Sequence, residues 1–120
     1  MMRVFIFSTL VTALVLLGSK PAQAQEVCPG NMAPTIAALQ DCVTHALSVG
    51  HIDNAGIANS LLSILDGAER AQDRNQTAVA IALLNSFIHE VEAQAGKHID
   101  DTHADHMVEH AGEVIDALGG

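Results

Sequence analysis

The chain has 120 residues, 49% of them hydrophobic, with fourteen acidic side chains against five Lys and Arg and a formal charge of −9. That balance excludes duplex nucleic acid and other polyanions as partners, because they need clustered cations. Trp and Tyr are absent and only three Phe occur, so the chain has no aromatic platform on which sugar rings could stack.

Met1-Met2-Arg3 makes a basic start, Val4 to Leu17 is almost wholly apolar, and Ala22-Gln23-Ala24 closes the stretch with a small-x-small pattern. This pattern predicts a secretory signal peptide over residues 1–24. The apolar run falls short of the roughly 18–20 residues of a membrane span. No second run follows and no lipobox-like sequence precedes Cys28. A secreted or periplasmic protein without stable membrane insertion after cleavage is expected. Cleavage removes Arg3 and Lys20 but no acid, leaving Arg70, Arg74 and Lys97 against fourteen acids, a net of −11. Phe87 is the one aromatic ring of Phe, Tyr or Trp type that remains.

The next segment, residues 25–33, holds Cys28, and Cys42 follows in the first helix. In an oxidising compartment the two most simply pair, tying this segment to the helical domain over 34–120. So short a loop is worth roughly 3 kcal/mol on the chain-entropy model. The spacing is not C-x-x-C, which argues against a redox role.

Nothing after Pro34 forbids helix, Ala and Leu abound, and four helices are expected. The first runs from about Pro34, suited to a first turn, to Val49, with Gly50 as its stop. Ile36, Leu39, Val43, Ala46 and Leu47 share one face. The second runs from about Asn54 to Arg74 and buries Ile57, Leu61, Ile64, Leu65, Ala68 and Ala71. The third runs from about Gln76 or Thr77 to Ala95, before Gly96. Its wide apolar arc of Val79, Ile81, Leu83, Leu84, Phe87, Ile88 and Val91 predicts the most buried helix. The fourth runs from about Asp101 to Leu118, with Met107, Val108, Ala111, Val114, Ile115 and Leu118 inward.

His-Ile-Asp occurs twice, at 51–53 and 98–100, each time between a glycine-ended helix and the next helix. Each aspartate is a candidate N-cap and each isoleucine a candidate hydrophobic staple. Two helical hairpins joined by Asp73-Arg74-Asn75-Gln76 predict an all-α, antiparallel up-down-up-down four-helix bundle. A three-helix bundle with a loosely attached N-terminal helix is the alternative.

Gly50-His51-Ile52-Asp53-Asn54-Ala55-Gly56-Ile57, Ser60-Leu61-Leu62, Ala78 to Leu84, Phe87-Ile88-His89-Glu90-Val91 and Gly96-Lys97-His98-Ile99 together resemble the FIMAH domain. That family is a small helical module of secreted bacterial proteins, often fused to the C-terminus of extracellular hydrolases, lyases and multicopper-oxidase-like proteins. The resemblance spans about residues 50–118 and rests mainly on capping and core positions. It implies an accessory role, interaction or attachment rather than catalysis.

Seven histidines survive cleavage. His103, His106 and His110, at i, i+3 and i+7 of the fourth helix, form a narrow stripe, with Glu113 next along it. An imidazole trio with a carboxylate suits zinc, copper or nickel; ordinary solvation of helix-shoulder histidines is the simpler account. In an up-down-up-down bundle the first and third turns share one end. That draws His51, Asp53, His98 and Asp100 together with His103 nearby, as a metal or anion site or as plain turn chemistry. His45 and His89 are expected on polar faces. Ser60, Ser63 and Ser86 lack a nucleophile-elbow context, and no phosphate loop or EF-hand spacing occurs.

The sequence therefore predicts a non-catalytic module binding an extracellular protein or a cell-envelope component, with no cofactor. Ala58, Leu62, Ile81 and Ile88 are the expected contact face or homodimer seam, with completion of a wide core the simpler account of Leu62 and Ile81. The alternative is an extracytoplasmic metal-binding protein using the stripe His103, His106, His110 and Glu113.

Overall fold

The computed structural model describes residues 33–120. The proposed signal peptide over 1–24 and the segment 25–32, with Cys28, lie outside the described residues. Cys42 itself is fully buried. Four helices follow one another: α1 Ile36–Val49, α2 Ala55–Asp73, α3 Thr77–Gln94 and α4 Asp101–Ala117. No strand occurs among the described residues, and none of their helices is long and apolar enough to cross a membrane.

Local chemistry sets the boundaries. Helix α1 starts two residues later than Pro34 suggests, because Thr35 is its N-cap and Thr35 Oγ1 accepts from the Ala38 amide at 3.2 Å. Its end is Gly50, at φ +91°, a left-handed conformation that a side chain would strain. Helix α2 is capped by Asn54, whose Oδ1 accepts from the Ile57 amide at 3.0 Å. Asp53, the expected cap, is instead engaged by His98 across the turn. The expectation holds in the fourth helix, where Asp100 caps α4 by accepting from the His103 amide at 3.4 Å.

Each helix packs on its neighbour in sequence, and α1 also packs on α4. Helix α1 is therefore part of the core rather than loosely attached. It buries Ile36, Ala38, Leu39, Cys42, Val43 and Ala46, six of its fourteen residues. Helix α3, expected to be the most buried, buries only Ala80, Leu84, Phe87 and Val91. Those four define one narrow stripe, and the wide apolar arc around them is left at its rim. Ile81, Leu83 and Ile88 are half-buried, and Val79 is 47% exposed. Ala58, expected at the surface, is fully buried, because it falls in register with Leu61, Leu65 and Ala68 on the inner face of α2. Met107, Ala111 and Val114 of α4 complete the core as expected.

Candidate functional site

The two His-Ile-Asp tripeptides meet at one end of the helical core. After α1, the amides of His51 and Ile52 both donate to the Ala46 carbonyl, at 2.9 and 3.1 Å. After α3, Gly96 at φ +76° lets the amides of Lys97, His98 and Ile99 converge on the Gln94 carbonyl at 2.9, 3.1 and 3.1 Å. Each turn thus ends in a short extended segment, and the two segments pair in antiparallel fashion through Ile52 and Ile99. The Asp53 amide donates to the His98 carbonyl at 3.0 Å, and the Asp100 amide to the His51 carbonyl at 2.9 Å. Ile52 and Ile99 face each other between these bonds, each 1% exposed.

Antiparallel pairing of a tripeptide with its own repeat sets each histidine across from an aspartate. Alternation along an extended segment sends the isoleucines to the core and these four polar side chains to the other face. One cross-pair is a simple exposed contact, His98 Nδ1 to Asp53 Oδ1 at 2.8 Å. The other, His51 with Asp100, gains a third member. His103, one turn into α4, has its Nδ1 3.1 Å from Asp100 Oδ2, and its ring stacks on that of His51 with centroids 3.5 Å apart and planes 21° apart. A cavity of about 320 Å³ opens over the paired turns, lined by His51, Asp53, Lys97, His98, Asp100 and Asp101 among others.

His103 is 4% exposed. Burial holds its pKa below that of a free imidazole, and the neighbouring His51 and His106 push the same way; the bond to Asp100 opposes them in part. The hydrogen bond from His103 in turn holds the Asp100 carboxyl below the usual carboxylate range. The ring is therefore neutral near pH 7, with Nδ1–H donating to the carboxylate and Nε2 left buried without a partner among the described residues. A base whose folded pKa is depressed binds its proton in the unfolded chain first. Its contribution to stability is constant above about pH 6.5 and declines as pH falls below that value. The melting temperature of the metal-stripped protein is expected to drop between pH 7.5 and 5, and His103→Gln to flatten that slope. Asp100 adds no slope there because it stays ionised throughout. Parallel slopes in the two proteins would refute the assignment to His103.

The stripe on α4 divides. His103 turns into the paired turns, whereas His106 is exposed and Glu113 is exposed two turns further along. His110 is 1% exposed and its Nε2–H donates to the Ala33 carbonyl at 2.7 Å, anchoring the start of the described chain to the last helix. Its Nδ1 is buried without a partner among the described residues. His106, His110 and Glu113 share a cavity of about 220 Å³ with Glu109. Three metal-ligand atoms within 4.8 Å of one another occur, among the described residues, at His51, Asp100 and His103. His45 is half-buried and His89 exposed.

A family model for the FIMAH domain matches residues 36–116, from the first residue of α1 to the penultimate residue of α4. The chain belongs to the FIMAH domain family. The match takes in α1, ahead of residues 50–118, which carry the resemblance in the sequence. No curated protein and no solved structure matches the chain. As a FIMAH domain it is an accessory module of a kind found in secreted bacterial proteins. The motif positions of the resemblance serve the framework here: Ile52, Leu61, Leu84, Phe87, Val91 and Ile99 are all core.

Proposed function

We propose that this FIMAH domain is a non-catalytic interaction module, working outside the cytoplasm, that attaches to an extracellular protein or a cell-envelope component. The observation that carries the reading is the family match over the whole helical core. The short connections and the meeting of the first and third turns support an antiparallel bundle, whose outer faces are free to bind. An oxidising setting also suits a Cys28–Cys42 disulfide tying the preceding segment to α1. With Ala58 in the core, the contact face narrows to Leu62 and Ile88, half-buried and packed against the core edge, together with half-buried Ile81. The surrounding acidity favours a basic or neutral partner surface and makes association fall with salt.

The test is retention of the purified protein on fractionated envelope material and on secreted proteins of its source organism. Saturable binding to one fraction, weakened by salt and lost in Ile88→Lys with the fold intact, is the expected result. Saturable binding that Ile81→Lys and Ile88→Lys leave untouched would remove this face. A dimer by light scattering that either substitution dissolves would make the face a homodimer seam instead. Metal binding is the second reading, and the cluster of His51, Asp100 and His103 favours it.

A further inference from the structure

The two cross-pairs at the turn end are equivalent in sequence and unequal in structure. Asp53 and His98 make a solvent-exposed pair and nothing more. Asp100 and His51 stand across from each other in the same register, but the Asp100 carboxylate is engaged by His103, three residues on, where the other repeat has Gly56. The additional imidazole is buried to 5% side-chain exposure, stacked on His51, and leaves Nε2 without a partner among the described residues. Framework chemistry does not ask for this. The cap of α4 needs only the Asp100 carboxylate, and an apolar residue at 103 would spare the cost of an orphaned buried nitrogen.

We propose that His51, Asp100 and His103 form a binding site for one divalent transition-metal ion of the zinc class. Two imidazoles and a carboxylate are a donor set that zinc and its neighbours accept. Their ligand atoms lie within 4.8 Å of one another. The 3.1 Å separation of His103 Nδ1 and Asp100 Oδ2 is close to the edge of about 3.3 Å expected between ligands on a tetrahedral zinc with bonds of about 2.0–2.1 Å. In the metal-free protein a proton holds those two atoms together; the ion takes its place and the proton leaves to solvent. His51 lines the cavity over the turns, which gives the ion an entry path and water a fourth position. The positive end of α4 opposes a cation, but Asp100 and Asp101 stand at that end and Asp53 lines the same cavity. The site is preformed, because the Ile52–Ile99 pairing fixes the two segments that carry His51 and Asp100.

The experiment is competition for Zn²⁺ between the untagged, metal-stripped protein and a chromophoric chelator at neutral pH. One zinc per chain at micromolar affinity or tighter is expected. His51→Ala and Asp100→Asn should each weaken it by roughly 100-fold or more, at least the loss seen for residues that merely support metal ligands. Asparagine caps a helix as well as aspartate does, so Asp100→Asn keeps α4 intact, and far-ultraviolet circular dichroism verifies it. His106→Ala and Glu113→Gln should leave the affinity unchanged. Absence of stoichiometric binding overturns the proposal. So does binding that survives in His51→Ala but disappears in His106→Ala or Glu113→Gln, which would return the metal to the outer stripe of α4.

Discussion

Phe87→Ala is expected to be the most damaging single truncation in this protein, costing about 3–5 kcal/mol. Phe87 is fully buried in α3, and the other two phenylalanines, Phe5 and Phe7, belong to the leader-like segment. The core around it is built from Ala, Val, Leu, Ile, Met and Cys42, with alanines such as Ala46, Ala58, Ala68 and Ala111 letting the helices approach closely. One large ring therefore fills a volume that no neighbour has the reach to refill. A domain of this length has roughly 5–15 kcal/mol of stability in all, so the loss is a large fraction of the whole. With a urea m-value of roughly 1–1.5 kcal/mol/M, the unfolding midpoint should fall by about 2–5 M. Helical circular dichroism is the suitable signal, because the chain has no Trp or Tyr to report by fluorescence. Ile88→Ala, one residue along but half-buried, is the control and should cost much less. Equal shifts in the two variants would mean that the ring is not the centre of the core.

The helices were legible because their punctuation is local. Gly50 and Gly96 sit where the backbone is left-handed, Pro34 marks the entry to the first helix to within two residues, and the apolar spacing has the helical period throughout. Caps were half legible. Asp53 and Asp100 look alike in sequence, yet only Asp100 caps a helix, because His98 reaches Asp53 while Asn54 is at hand to take over. The apolar arc of α3 overstates its burial, since such an arc shows what a helix is able to bury and not how much of it the neighbours cover. The candidate site was legible as topology: a repeated tripeptide in the first and third turns has to meet in an up-down bundle. Hidden from a linear reading was the rotation of α4. Spacing places His103, His106 and His110 on one stripe, but a small turn of the helix sends the first to the paired turns, leaves the second exposed and commits the third to the Ala33 carbonyl. The recoverable signal was the palindromic sense of the pairing, in which His-Ile-Asp laid antiparallel on itself sets histidine across from aspartate twice.

Ile99→Ala should cost about 2–5 kcal/mol, and its effect should depend on Ile52. The two side chains face each other between flanking backbone bonds, the kind of antiparallel pair in which side chains come closest, and both are 1% exposed. If they were merely two core residues, the double substitution would cost the sum of the singles. As a contacting pair they should show a coupling of about 0.5–3 kcal/mol, with the double variant less damaged than the sum. Hydrogen exchange supplies an independent reading. The Asp53 and Asp100 amides, which bond to the His98 and His51 carbonyls, should lose protection in Ile99→Ala well before amides in the middle of α2 and α3. Additive costs together with unchanged exchange at Asp53 and Asp100 would show that backbone bonding alone holds the turns. The coupled result would place the rigidity of the turn end in one isoleucine contact. Since His51 adjoins Ile52 and Asp100 adjoins Ile99, loosening that contact should also weaken the proposed zinc binding, although neither isoleucine offers a ligand atom.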